Sequence, residues 1–208
     1  MNRSLPSKAA IEEAFAQLLR RGFELAYLAL LTVEGIKPAS RWEKPLEAEA
    51  AHALSEKLGL HLEIVPRTVQ TGREIHEAVF SLYLPYPELY AARFAHTPIE
   101  NTADIMRLEG FFFGYPPCCV ERFIRHPYAP NNLDPADQRL LFHWACSACP
   151  ITPHLLPFYR DCHRRTRDLA KEKGIPLDPQ NEFIGSSSQK ITSGNGERLR
   201  GRLFERSD

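Results

Sequence analysis

The chain has 208 residues, 43% of them hydrophobic and 25% charged, which is enough apolar material for one large domain or two small ones without disulfide staples. Its 26 basic side chains are matched by 26 acidic ones, so a chain-wide electrostatic footprint for nucleic acid is excluded and only a local basic patch stays open. Residues Met1 to Lys8 carry no apolar signal core, and the longest apolar runs, such as Leu25 to Leu31, are far too short to span a bilayer; a cytoplasmic protein with no membrane partner is expected.

In chain order, Ser7 to Arg21 reads as a helix, with Ala10, Ile11, Ala14, Phe15, Leu18 and Leu19 on one face and Gly22 as its stop. Phe23 to Val33 is a continuous apolar run, taken as a buried strand in preference to a helix. Ile36 to Pro45 reads as a loop and Leu46 to Leu58 as a second helix stopped by Gly59. Leu60 to Val65 alternates like a strand, with Leu60, Leu62 and Ile64 on one face, and Pro66 is expected to end it. Thr71 to Leu84 fits either a helix from Glu74 or a strand from Ala78. No phosphate loop, dinucleotide turn or nucleophile elbow occurs in this stretch.

From Pro87 the pattern becomes helical with proline punctuation. A short helix is predicted over Glu88 to Ala95. Thr97-Pro98 should cap a helix running from about Ile99 to Phe112, and Pro116-Pro117 should start one that ends at Arg125. Asp134-Pro135 is expected to open a helix through Ala145, and Thr152-Pro153 or Pro157 a last one ending at Lys173-Gly174. The fold class that results is α+β: a small N-terminal α/β unit (1–86), a mostly helical region (87–180) and a polar, poorly ordered tail (181–208).

All five cysteines fall between Gly110 and Cys162, which is not how core filler is distributed. In a reducing compartment, clustered thiols point to ligation or redox work rather than structural bridges. Cys118 and Cys119 follow two prolines and so lie in the first turn of a helix, where unpaired amides and the macrodipole favour thiolate. Cys118 lies nearer Arg122 and Arg125 and is the candidate reactive thiol; Cys119 lies nearer the apolar face. Cys146-Ser147-Ala148-Cys149-Pro150 has the spacing that lets two sulfurs reach one metal or cluster, and Cys-Pro also recurs at iron–sulfur ligands.

Cys162 falls on the stripe of Leu155, Phe158, Tyr159, Thr166 and Leu169 and is expected to face inward toward Cys146 and Cys149. Each cysteine taken alone could be a small buried hydrophobe. Taken together, Cys118, Cys119, Cys146, Cys149 and Cys162 form a metal-ligand set with one sulfur to spare, and Cys-Pro tips the balance toward an iron–sulfur cluster over zinc. His143 and His163 are near enough in sequence to substitute, but a surface or hydrogen-bonded role is the plainer reading of each. Glu109, Glu121 and Asp104 offer acid–base groups without any distinguishing pattern.

Arg160, Arg164, Arg165, Arg167, Lys171 and Lys173 make the outer face of the last helix basic, which reads as a solvated face or as a contact for RNA or a protein. The tail adds Arg198, Arg200, Arg202 and Arg206. The stretch Phe112 to Phe123, Phe-Phe-Gly-Tyr-Pro-Pro-Cys-Cys-Val-Glu-Arg-Phe, resembles the signature of the prokaryotic domain of unknown function family 483, over roughly residues 90 to 175. That resemblance implies a unit built on the tandem cysteines and brings no activity with it. Three readings stay open. The first is a metalloprotein binding an iron–sulfur cluster or zinc, with or without sulfur or redox enzymology. The second is a non-catalytic zinc-stabilised module contacting RNA or protein, and the third a metal-free thiol switch.

Overall fold

The computed structural model describes residues 7–177, and its first helix, α1 (Lys8–Arg21), is capped by Ser7, whose Oγ accepts from the Ala10 amide at 3.2 Å. Gly22 closes α1 by donating to the Leu18 carbonyl, and α2 (Phe23–Val33) follows at once. The expected strand at Phe23 to Val33 is therefore a helix, with nine of its eleven residues buried. It is apolar on every side because α1, the sheet and the last helix enclose it. Composition could have decided the matter: Leu25, Ala26, Leu28, Ala29, Leu30 and Leu31 are helix formers, and only Thr32 and Val33 are β-branched.

A four-stranded sheet packs beside α2 in the order β1-β3-β2-β4. Strand β1 (Ser40–Trp42) lies inside the segment expected to be a loop; it pairs antiparallel with β3 (Glu74–Ser81), Arg41 opposite Val79. Between β1 and β2 the expected second helix forms as α3 (Ala48–His52), continued by a π turn (Ala53–Lys57). Strand β2 (His61–Thr68) pairs antiparallel with β3, Ile64 opposite Ala78, and meets β4 (Thr97–Pro98) in parallel only at Arg67 and Thr68. Thus 74–81 is strand, and Pro66 does not end β2. The Pro66 carbonyl accepts from the His96 amide, so its proton-less nitrogen faces the same, sparsely paired edge, where no donor is missed.

Helix α4 (Pro85–Phe94) covers the sheet with Tyr90 and Phe94. Thr97-Pro98 is strand rather than a helix start; α5 (Ala103–Phe112) begins later, where Thr102 accepts from the Ile105 amide. Helix α6 (Pro117–Arg125) starts at the double proline as expected. The helix expected through Ala145 stops after one turn, α7 (Pro135–Gln138). The Gln138 side chain explains the stop. Its Oε1 accepts from Asn131 Nδ2 (2.7 Å) and the Ala145 amide (3.2 Å), and its Nε2 donates to the His143 carbonyl (2.9 Å), so the side chain takes over backbone groups a helix would have used. Helix α8 (Thr152–Glu172) closes the described chain.

The larger apolar cluster joins α1, α2, the π turn and α8 with Cys119, Leu141, Ala145 and Cys149, and so runs through both units expected from the sequence. Tyr27 of α2 ties it together: its hydroxyl lies 3.2 Å from the Leu140 carbonyl and 3.1 Å from the Tyr159 carbonyl. A smaller cluster of Ala39, Val65, Val79, Tyr90, Phe94, Phe112 and Phe113 fills the other side of the sheet. Beside it a buried charge network links Arg67 to Glu77 (3.5 Å) and the Tyr90 hydroxyl (3.2 Å), and Arg41 to Glu109 (2.8 Å) and Glu43 (2.8 Å). Among the described residues no helix is long and apolar enough to cross a membrane. The tail (181–208), with Arg198, Arg200, Arg202 and Arg206, lies outside the described residues.

Candidate metal centre

Two glycines set the cysteine helix in place. At Gly110 an added Cβ would stand 2.6 Å from Val120 Cγ2, so the absence of a side chain lets α5 and α6 pack tightly. Gly114 turns the chain between them at φ +68°, and a Cβ there would stand 2.5 Å from Pro38 Cδ. Lys37, fully buried, donates to the Phe113 carbonyl at 2.8 Å and lies 4.7 Å from the centre of the Tyr115 ring. The α2–β1 connection thus fixes the entry to α6, and Pro116-Pro117 present Cys118 and Cys119 in its first turn.

The other two sulfurs come from the irregular segment before α8. The Cys149 amide bonds the Cys146 carbonyl at 3.3 Å, which curls the Cys-x-x-Cys segment back on α6. The sulfurs of Cys118, Cys119, Cys146 and Cys149 all lie within 4.8 Å of one another. Cys118 Sγ is 3.5 Å from Cys149 Sγ, and Cys119 Sγ is 3.8 Å from Cys146 Sγ. Cys119 and Cys149 are buried, whereas Cys118 and Cys146 are partly exposed.

Backbone and hydroxyl donors converge on the two buried sulfurs. The Cys146 amide donates to Cys119 Sγ (3.3 Å); the Thr152 amide and hydroxyl both donate to Cys149 Sγ (3.2 and 3.1 Å). Burial pushes the Cys149 thiol up, but its donors from Thr152, Ile151 and Cys119 outweigh that and bring it from 9.0 down to about 7. Cys118 goes the other way, to about 11, through burial and the sulfurs of Cys149 and Cys146. Burial likewise holds the Cys119 thiol well above its ordinary range. Of these three thiols Cys149 therefore gives up its proton most readily, while burial and the neighbouring sulfurs hold those of Cys118 and Cys119. The expectation of an acidified Cys118 is corrected: Arg122 and Arg125 are not among the groups that shift it, and Arg125 pairs instead with Glu121 at 3.7 Å.

Cys162 does not join the other four. It is buried on α8 in the larger core, where burial raises its thiol to about 11. The buried line of α8 is Thr152, Leu156, Tyr159, Cys162, Thr166 and Ala170, with Phe158 exposed. Cys162 does face inward, but ten residues of helix put it about 15 Å along the axis from Thr152, which is where α8 meets the cysteines.

The histidines do not reach the sulfurs either. His143 Nε2 lies 3.3 Å from the Thr152 hydroxyl, its ring packs on Tyr115, and its Nδ1 is buried without a partner. Burial and nearby Lys37 lower its pKa to about 3, so it is neutral. His163 packs against the rings of Phe23 and Tyr27. The candidate acids are bound in ion pairs: Glu109 to Arg41, and Glu121 and Asp104 to Arg107. On α8, Arg160 pairs with Asp137, Arg164 with Asp161 and Asp168, and Arg165 with Glu34, which neutralises much of the basic face.

Sequence reasoning passed over Thr152 as a site residue, although Thr152-Pro153 was legible as a helix start and so as a source of free donors. It also passed over the two glycines of Gly110-Phe111-Phe112-Phe113-Gly114, whose packing roles need partners far away in the chain. No protein-family model, curated protein or solved structure matches this chain.

Proposed function

We propose that the protein binds one tetrahedral metal ion, zinc, through Cys118, Cys119, Cys146 and Cys149, and that the ion is a structural tie between α6 and the segment leading into α8. The observation that carries this is the compactness of the four sulfurs. Metal–sulfur bonds of about 2.3 Å in a tetrahedron put the sulfurs about 3.8 Å apart; the Cys118–Cys149 and Cys119–Cys146 separations are 3.5 and 3.8 Å. A four-iron cluster asks more room, since each thiolate then binds a different iron at its own corner. Four protein ligands leave no open position for substrate, which favours a structural over a catalytic ion. Hydrogen bonds from the Cys146 amide and from Thr152 supply the outer shell that orients such ligands. A reducing, cytoplasmic setting keeps the thiols available. We also propose membership of family 483, supported by the Phe112 to Phe123 motif.

Anaerobic purification with metal analysis and a visible spectrum tests the reading. One zinc per chain in a colourless protein is expected, with cobalt substitution giving a tetrathiolate spectrum. A brown protein with iron and acid-labile sulfide would overturn zinc in favour of a cluster. A metal-free protein whose folding survives Cys146→Ser with Cys149→Ser would overturn the metal altogether.

A further inference from the structure

Resting on that reading, we infer that His143 is a positioning residue of the metal centre: its Nε2–H donates to the Thr152 hydroxyl and so turns the hydroxyl proton onto the Cys149 sulfur. The contacts form a chain. Thr152 Oγ1 lies 3.1 Å from Cys149 Sγ, to which it donates, and 3.3 Å from His143 Nε2. A hydroxyl has a single proton to give. Since that proton goes to Cys149, the oxygen accepts from the ring, and Nε2 carries the hydrogen.

The rest of the ring agrees. A neutral imidazole holds a single N–H. With it on Nε2, Nδ1 is bare, and Nδ1 is buried with no partner among the described residues. A second N–H there would bury a proton without an acceptor, and burial together with nearby Lys37 keeps the ring neutral. The ring is held from two sides: Tyr115 packs on it with centroids 5.4 Å apart, and Gln138 Nε2 donates to the His143 carbonyl at 2.9 Å.

The hydroxyl needs a partner on its oxygen because a second sulfur competes for its proton. Cys119 Sγ stands 3.8 Å from the same oxygen. A hydroxyl free to rotate would divide its proton between the two thiolates. An N–H fixed on the oxygen leaves the proton aimed at the nearer sulfur, that of Cys149, which also receives the Thr152 amide at 3.2 Å. Each donor in such a chain polarises the next, so the ring strengthens a bond to a thiolate it does not touch. Outer donors of this kind orient metal ligands and raise their affinity for the ion.

Two measurements on the full chain test this. In the unsubstituted, zinc-loaded protein, long-range proton–nitrogen NMR correlation should find the His143 proton on Nε2 and Nδ1 bare; a proton on Nδ1 overturns the inference. Zinc affinity by chelator competition supplies the second. His143→Phe keeps a ring against Tyr115 and removes the N–H, and should weaken zinc binding about tenfold, the lower end of what losing an outer-shell partner costs. In a Thr152→Val background the same substitution should cost nothing further, because the hydroxyl it acts through is gone. Unchanged affinity in His143→Phe, or an equal loss with and without the hydroxyl, overturns the inference and leaves the metal site standing. A chain that binds no zinc overturns both.

Discussion

The two ends of α2 and the loop before α8 show two ways of holding a backbone. Around α2, nine of eleven residues are buried, and apolar contact does the work. Between Gly114 and Ile151, the buried apolar side chains reduce largely to Cys119, Leu141, Ala145 and Cys149, and regular structure to α6 and one turn of α7. There the chain is held by point contacts: Gln138 to three partners, Trp144 Nε1 to the Ala129 carbonyl at 2.7 Å, and the four sulfurs. The lesson is that a segment too poor in apolar residues to collapse can be fixed by specific cross-links, of which a metal is the strongest.

The largest effect should come from removing the zinc proposed above. Structural zinc contributes on the order of 10 kcal/mol in small domains, so chelation should abolish amide-exchange protection over 116–151 while α1 and α2 keep theirs. Simultaneous loss in both regions would erase the contrast. Next, Leu25→Ala, fully buried in the first turn of α2, should cost about 2–5 kcal/mol in denaturant unfolding and leave the proposed zinc stoichiometry unchanged.

A smaller effect is expected where the regions meet. Gly114→Ala places a Cβ at φ +68° and 2.5 Å from Pro38. It should cost about 1–3 kcal/mol and weaken zinc binding in competition with a chelator. The last is a pH slope. Burial, with nearby Arg41, lowers Lys37 from 10.5 to about 7. Between those values the unfolded chain binds the proton and the folded one does not, so this contribution to stability is full above about 10.5 and is lost as pH falls toward 7. Lys37→Met should flatten that part of the stability–pH curve; an unchanged slope would remove Lys37 from the account.

Legibility in the sequence follows the same division. Helices α1, α6 and α8 were readable because their signals are local: Ser7, Pro116-Pro117 and Thr152-Pro153 all sit at the ends they mark. The convergence of Cys118, Cys119, Cys146 and Cys149 was suggested by clustering and spacing. What failed was non-local. The enclosure of α2 by α8, the pairing that makes 97–98 a strand, and the capture of backbone groups by Gln138 depend on residues far off or on a single side chain's choice. Cys162 was misplaced because a helical stripe gives direction and not distance along the axis.

The Tyr27 hydroxyl, reaching carbonyls of residues 140 and 159, bears on how the protein is made. When α2 leaves the ribosome, the helix that covers it has not yet been translated. Its apolar surface stays open until most of α8 has emerged, more than a hundred residues later by the separations of 113 and 132 that Tyr27 spans. The first-made part of the core is thus among the last to be sealed, and nascent chains halted before α8 should be held by chaperones that complete chains release.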